Sequence, residues 1–167
     1  IWAKFLNAGQ ACTAPDFFMV DRVIKQQFLE LAKQEIIKAN YSVENDNYVQ
    51  IVDRKNYDRV MALIDPGKVY FGGKTNEKDR IIEPTILDNV SFEDAIMQEE
   101  IFGPVVTIYV YPDNDWKQML TVVDQTSIYA LTGAFISEDR KSIEYALRHL
   151  RYSAGNFYIN DKPSGAV

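Results

Sequence analysis

The sequence predicts an α/β protein: three layers, with a largely parallel sheet covered by helices on both faces. Three observations predict it. Short runs rich in β-branched and aromatic residues, at 17–20, 105–111 and 156–160, alternate with stretches whose apolar residues recur at helical spacing. The strand-like runs are nearly continuous in apolar character, as strands buried on both faces are. The intervening segments are long enough for helical crossovers, which place successive strands parallel.

Residues 1–8 have the pattern of the tail of an amphipathic helix, with Ile1, Trp2, Phe5 and Leu6 on its apolar side. Gly9 suits a helix stop and Pro15 blocks continuation. A strand is expected over 16–21. A long helix should follow to about Ala39, capped by Asp21, with Ile24, Phe28, Leu31, Ala32, Glu35 and Ile36 on its buried stripe. Residues 40–47 form a polar loop. A second helix should start at Asp53, carry Tyr57, Val60, Met61 and Ile64 on one face, and end before Pro66-Gly67. Strands are expected at 68–71 and 81–87 around a charged turn region, with Pro84 marking an edge or bulge in the second.

The clearest central strand is 105–111, Val-Val-Thr-Ile-Tyr-Val-Tyr. Pro112-Asp113-Asn114-Asp115 then opens a helix bearing Trp116, Met119, Leu120 and Val123. A strand at 131–136 precedes a helix that starts near Ser137 and Asp139, with Ile143, Ala146, Leu147 and Leu150 on one face. A last strand occupies 156–160. The sequence shows neither internal repeat nor low-complexity segment.

At 167 residues the chain suits about one domain, and with 47% hydrophobic residues it can build a core. Its net charge of −6, with no basic block, argues against nucleic acid as a partner. No apolar run reaches bilayer-spanning length, and the opening residues do not have the basic, apolar and small-residue pattern of a secretory leader. The one cysteine cannot form an internal disulfide, which suits a reducing compartment. The chain opens on Ile1 in what is already a helical pattern and ends at Ala166-Val167 without a stop signal, so it is expected to be an excerpt of a longer protein.

Chemistry concentrates in two constellations. In Gly9-Gln10-Ala11-Cys12-Thr13-Ala14-Pro15, a thiol sits on a tight connection between helix and strand. Helix-end amides beside it would favour the thiolate and so a nucleophile. The competing reading is an inert, buried small hydrophobe. In Gln98-Glu99-Glu100-Ile101-Phe102-Gly103-Pro104, an aromatic ring could pack on a planar group and a carboxylate could accept hydrogen bonds from sugar hydroxyls. The competing reading there is an acidic helix end followed by a turn.

Other candidates carry less. His149 is the sole histidine, near a helix C-terminus and without ligand or triad partners in sequence. Gly72-Gly73-Lys74-Thr75 lacks the first glycine of a phosphate loop. The pairs Asp53/Asp58 and Glu138/Asp139 fit helix starts, and Phe157-Tyr158 fits a strand core. No metal-ligand cluster is expected.

Gly9-Gln10-Ala11-Cys12 and Glu99-Glu100-Ile101-Phe102-Gly103-Pro104, in that order, resemble the catalytic domain of the aldehyde dehydrogenase family, and the resemblance runs over essentially the whole chain. It implies that residues 1–167 are a partial catalytic domain, with the cofactor-binding domain and the oligomerisation tail absent. It also implies that Cys12 attacks an aldehyde to give a thiohemiacetal and then a thioester, and that Glu100 and Phe102 contact the nicotinamide riboside of NAD or NADP. The oxyanion asparagine and the glutamate that activates water would lie upstream.

Residues 4–16, Phe71-Gly72-Gly73-Lys74-Thr75 and Ile82-Glu83-Pro84-Thr85-Ile86 resemble the class 3, fatty-aldehyde branch. Tyr109-Val110-Tyr111-Pro112, Ala130-Leu131-Thr132-Gly133 and the 154–162 stretch resemble the 1-pyrroline-5-carboxylate dehydrogenase branch, which oxidises glutamate semialdehyde to glutamate in proline catabolism. That branch holds the substrate carboxylate through backbone amides of a loop, matched here by Gly165 and Ala166, and through the residue after the nucleophile, Thr13. The resemblance implies a small-molecule aldehyde substrate, a homo-oligomeric parent, and a cytoplasmic or mitochondrial-matrix location. It implies that the isolated chain is inactive. Three alternatives stand beside it: class 3 type oxidation of fatty or medium-chain aldehydes, a non-enzymatic folded excerpt or interaction domain, and acyl transfer at Cys12 without a redox cofactor.

Overall fold

Val105, Val106, Thr107 and Ile108 are all buried. Successive residues of a strand point to opposite faces, so such a strand is covered on both. It is an interior strand of a four-stranded sheet in the computed structural model, which describes residues 1–112 and 115–163. In chain order the strands are β1 (Phe17–Asp21), β2 (Val69–Phe71), β3 (Thr75–Asn76), β4 (Ile81–Ile82), β5 (Thr85–Leu87), β6 (Val105–Tyr111), β7 (Thr132–Phe135) and β8 (Asn156–Ile159). The helices are α1 (Trp2–Phe5), α2 (Lys25–Ala39), α3 (Arg54–Leu63), α4 (Trp116–Thr126) and α5 (Arg140–His149).

The chain divides into two compact units, Ile1–Val110 and Tyr111–Val167. The first holds the sheet β1-β6-β5-β2. β5 runs parallel to β6, pairing Thr85 with Val105 and Leu87 with Thr107, while β2 lies antiparallel to β5. Leu29, Ala32 and Ile36 of α2 and Tyr57 and Val60 of α3 bury themselves against Val20, Ile86, Leu87, Val105, Val106 and Ile108. The second unit pairs β7 with β8 in parallel, Gly133 opposite Phe157 and Phe135 opposite Ile159. Leu120, Ala146 and Leu150 form its core, with Trp116, Phe135, Tyr145 and Phe157 around them. The expected mixed α/β fold with a largely parallel sheet is therefore the one that forms.

Several local expectations change. Asp21 does not cap α2. It ends β1, and its side chain accepts from the Val23 N–H at 2.9 Å, making a turn that delays the helix to Lys25. The buried face of α2 is Leu29, Ala32 and Ile36, whereas Ile24 and Leu31 are exposed. Seven apolar residues spread around this helix, so spacing alone leaves its face ambiguous. Leu147 of α5 is likewise exposed. The strand expected over 81–87 is two strands, because Pro84 has no N–H for a ladder. β4 pairs with β3, and β5 joins the main sheet. Asp53 and Asp139 do cap their helices, accepting from the Asn56 and Ser142 N–H groups at 2.7 and 2.8 Å. Asp113 and Asn114 of the expected α4 start lie outside the described residues.

Candidate active site

Three consecutive left-handed residues, Asn7 (φ 52°), Ala8 (φ 53°) and Gly9 (φ 70°), turn the chain sharply after α1. Only glycine adopts that conformation without strain, so Ala8, fully buried, marks a backbone held by its surroundings. The turn is tied down locally. The Gln10 N–H bonds the Asn7 carbonyl at 3.1 Å, and the Asn7 side-chain amide bonds the Gln10 carbonyl at 3.1 Å. Gln10 also reaches across the chain, donating to the Gln50 carbonyl at 3.1 Å and accepting from the Val52 N–H at 2.8 Å. A bond from the Ala14 N–H to the Ala11 carbonyl, 3.0 Å, then closes a tight turn over Cys12 and Thr13.

Cys12 stands on this turn with an exposed, free thiol. It is thus no buried hydrophobe. The expected source of thiolate stabilisation needs correction, however. α1 ends at Phe5, a left-handed turn follows it, and the next element after Cys12 is a strand, so a helix N-terminus with its amides is not adjacent. Thr13 is half-buried on the same turn.

The second constellation begins at Gln98, the C-cap of a short 3₁₀ turn (Ala95–Met97), and runs as a loop into β6. Ile101 is fully buried and pins it to the core. Phe102 has φ 46° and is 39% exposed, a large aromatic held outward on strained backbone. Glu99 and Glu100 are exposed. Arg59 of α3 grips the loop: its guanidinium donates to the Glu100 carbonyl at 3.1 Å and the Ile101 carbonyl at 2.6 Å, and lies 3.3 Å from the Glu99 carboxylate. Gly103 packs on Val60, where a Cβ would meet the valine methyl carbons at 2.8 and 2.9 Å.

The two constellations, about ninety residues apart, are in contact. A Cβ on Gly9 would fall 2.1 Å from the Gly103 carbonyl oxygen, so glycine alone permits this approach. Asp16, four residues beyond Cys12, accepts from the Ile101 N–H at 3.0 Å, and its own carbonyl accepts from the Thr107 hydroxyl at 2.9 Å. Lys4 lies beneath, wholly buried, its Nζ 3.8 Å from Asp16 Oδ1. Burial pushes its ammonium down to about 8, while the Asp16 and Glu100 charges pull the other way. Tyr48 supports α1 from the other side, its hydroxyl donating to the Phe5 carbonyl at 3.2 Å while its ring stacks on Tyr41.

Cys12, Thr13, Glu100 and Phe102 are therefore carried by two adjoining segments. Gly165 and Ala166 lie outside the described residues. Asp16, Arg59 and Lys4 were not singled out from the sequence. Lys4 had one signal, a lone charge inside an apolar helical stretch. His149 stacks on Tyr145 and bonds its carbonyl at 2.8 Å, a helix-terminal arrangement. Surface hollows lined by Arg54, Glu77, Lys78 and Arg80, and by Ile64, Lys68 and Asp94, include none of the candidate residues. Among the described residues no cluster of His, Cys, Asp and Glu could hold a metal, and no helix is long and apolar enough to cross a membrane.

A parallel-sheet α/β unit thus carries an exposed thiol on a strained turn, in contact with a loop that presents an aromatic ring and a carboxylate. The aldehyde dehydrogenase family model matches residues 1–167, and the chain belongs to that family. It is 38% identical to the mitochondrial delta-1-pyrroline-5-carboxylate dehydrogenase of Danio rerio, over all of this chain and 32% of that protein. Among solved structures, the substrate-bound state of Staphylococcus aureus AldH superposes with a TM-score of 0.84 at 33% identity, over 96% of this chain and 35% of the other. The Mycobacterium tuberculosis delta-pyrroline-5-carboxylate dehydrogenase bound with NAD and cobalamin superposes with a TM-score of 0.83 at 32% identity, over 99% of this chain and 32% of the other. The chain spans about a third of the length of the relatives it matches.

Proposed function

We propose that these residues form the nucleophile-bearing part of an NAD(P)-dependent aldehyde dehydrogenase, with L-glutamate 5-semialdehyde as substrate and glutamate as product. The observation that carries the reading is the Gly9–Gly103 contact, which joins the turn of a solvent-facing thiol to a loop presenting a ring and a carboxylate. That pairing suits capture of an aldehyde carbon beside a planar hydride acceptor. The names of the most similar relatives support the substrate.

In this reading the Cys12 thiolate adds to the aldehyde carbon, and the carbonyl electron pair moves onto oxygen. That pair re-forms the carbonyl as hydride leaves, so a thioester remains on Cys12. A nicotinamide dinucleotide, when bound, supplies the hydride acceptor. Water then attacks the thioester, the C–S bond breaks, and the carboxylate leaves with the thiol restored. Phe102 would pack on the flat ring, and Glu100 would accept hydrogen bonds from ribose hydroxyls. The loop fits this role because its aromatic and acidic side chains are exposed while its backbone is held by Arg59, Asp16 and Ile101. Thr13, with Gly165 and Ala166, is assigned to the substrate carboxylate.

The dinucleotide's adenine and phosphates need a grip that this chain does not carry, since no Gly-x-Gly-x-x-Gly follows a strand in its sequence. Two contacts are too few to offset the entropy lost on binding. The isolated 167-residue chain is therefore expected to produce no NADH or NADPH. The test is absorbance at the reduced-nicotinamide band, on the full-length protein and on the isolated chain, with glutamate semialdehyde and a medium-chain aldehyde as substrates and Cys12→Ala as control. Full-length turnover that survives Cys12→Ala sinks the mechanism. Preference for the medium-chain aldehyde replaces the substrate assignment. Cys12-dependent reduction by the isolated chain shows that the missing grip is not needed.

A further inference from the structure

Lys4 is a buried ammonium that the proposed chemistry does not use. Its side chain has no solvent exposure, and among the described residues its Nζ has no hydrogen-bond partner. A buried ammonium without a hydrogen bond is expensive, and an unbranched apolar side chain such as Met would fill the same space at lower cost. Its place needs a use for the charge. The nearest counter-charge is Asp16 Oδ1, at 3.8 Å, which is an attraction rather than a hydrogen bond. That same oxygen accepts the Ile101 N–H at 3.0 Å. Ile101 stands between Glu100 and Phe102, the two residues given the dinucleotide contacts.

We propose that Lys4 is a positioning residue: its charge holds the Asp16 carboxylate inward on the Ile101 amide, and so fixes where Glu100 and Phe102 stand. Asp16 has a choice, because its side chain is 36% exposed and water competes for it. Without a cation beneath, the carboxylate can turn outward and release the amide. The Ile101 backbone is then held on its carbonyl side alone, by Arg59. Asp16 is also four residues past Cys12, so one charge acts on the seam between thiol turn and cofactor loop. The charged groups that act on Lys4 are Asp16 and Glu100, both acidic, and burial opposes both.

The inference rests on the dehydrogenase reading, and one arm of its test is independent of turnover. In the full-length protein, hydrogen exchange at the Ile101 amide and NAD⁺ affinity by titration calorimetry are compared for wild type, Lys4→Met, Asp16→Asn and the double variant. Lys4→Met is expected to exchange at Ile101 at least about tenfold faster and to bind NAD⁺ about tenfold more weakly, with the aldehyde KM within about twofold. Wild-type NAD⁺ affinity should fall as pH rises through about 8, as the ammonium is lost, and Lys4→Met should lack that fall. Because Lys4 acts through Asp16, the double variant should be no worse than Lys4→Met. Unchanged Ile101 exchange in a folded Lys4→Met variant overturns the proposal, as does full additivity in the double. If Lys4→Met does not fold, Asp16→Asn decides by the same exchange measurement. A wild-type protein that never reduces NAD⁺ defeats the dehydrogenase reading, while the exchange arm still decides the role of Lys4.

Discussion

Gly9→Ala is the smallest change that separates the thiol turn from the loop of Glu100 and Phe102. Its Cβ would lie 2.1 Å from the Gly103 oxygen, 2.6 Å from the Gly103 carbonyl carbon and 3.1 Å from the Lys4 oxygen. An ordinary carbon–oxygen contact is no closer than about 3.3 Å, so one backbone must retreat by about 1 Å. No side chain can absorb that, because every atom met is main chain. The φ of +70° adds about 1–2 kcal/mol for any residue with a Cβ. A 1 Å misplacement of reacting groups costs about 100-fold in rate. The expected result is a folded but destabilised full-length protein with kcat down about 100-fold. Gly103→Ala provides the contrast: the nearest atoms its Cβ meets all belong to the Val60 side chain, and pairing it with Val60→Ala should recover most of the loss. Steady-state kinetics with chemical denaturation on each variant measures both effects. Gly9→Ala turning over within about twofold of wild type would refute the argument that this contact sets the site.

Phe102→Ala and Glu100→Gln should each raise the dinucleotide KM or slow hydride transfer about tenfold, read by stopped-flow NADH formation; full turnover with unchanged cofactor affinity in both would remove the loop from the cofactor site. Arg59→Leu removes both bonds to the loop carbonyls and the Glu99 contact, so it should shift the dinucleotide KM in the same direction while the rate of Cys12 alkylation by iodoacetamide stays within twofold. Lys4 also makes stability depend on pH. Its folded value of about 8 lies below the model-peptide 10.5, so between these limits the unfolded chain binds the extra proton and stability rises with pH. Below pH 8 the buried charge costs up to about 3 kcal/mol. Urea melts at pH 7 and 10 should show that slope in wild type and its loss in Lys4→Met, with the variant the more stable at pH 7.

How far the sequence reads through to the structure depends on the range of the contacts involved. Elements governed by local chemistry are legible: caps at Asp53 and Asp139, the β-branched run of β6, the breaks at Gly9 and Pro66. Errors arise where two packings satisfy the same local pattern. α2 has apolar residues on most of its circumference, and its face is chosen by where the turn at Asp21 releases the helix. The 81–87 run has apolar pairs at both ends, and pairing with β3 on one side of Pro84 and with β6 on the other divides it.

The site follows the same division, and there the limits of local reading tell most. The thiol, the acid pair and the aromatic are legible because their chemistry is rare and their spacing is shared with a family. What holds them is not, because it is long-range. Asp16 meets Ile101 across 85 residues and Arg59 meets Glu100 across 41. A charge in a sequence reads as solvated unless its partner is visible, so Lys4 is not singled out there, while its side chain is among the most buried of the described residues. The strained backbone tells the same story. Ala8 and Phe102 take left-handed φ values that their own side chains oppose. The surroundings that hold them are the Gly9–Gly103 contact, the Gln10 bonds to Gln50 and Val52, and the Arg59 grip. Strain retained in both halves of one seam is what a site positioned from outside its own segments requires. It also means that substitutions at Gln10 or Arg59, which the proposed chemistry never touches, should disturb that chemistry before they disturb the fold.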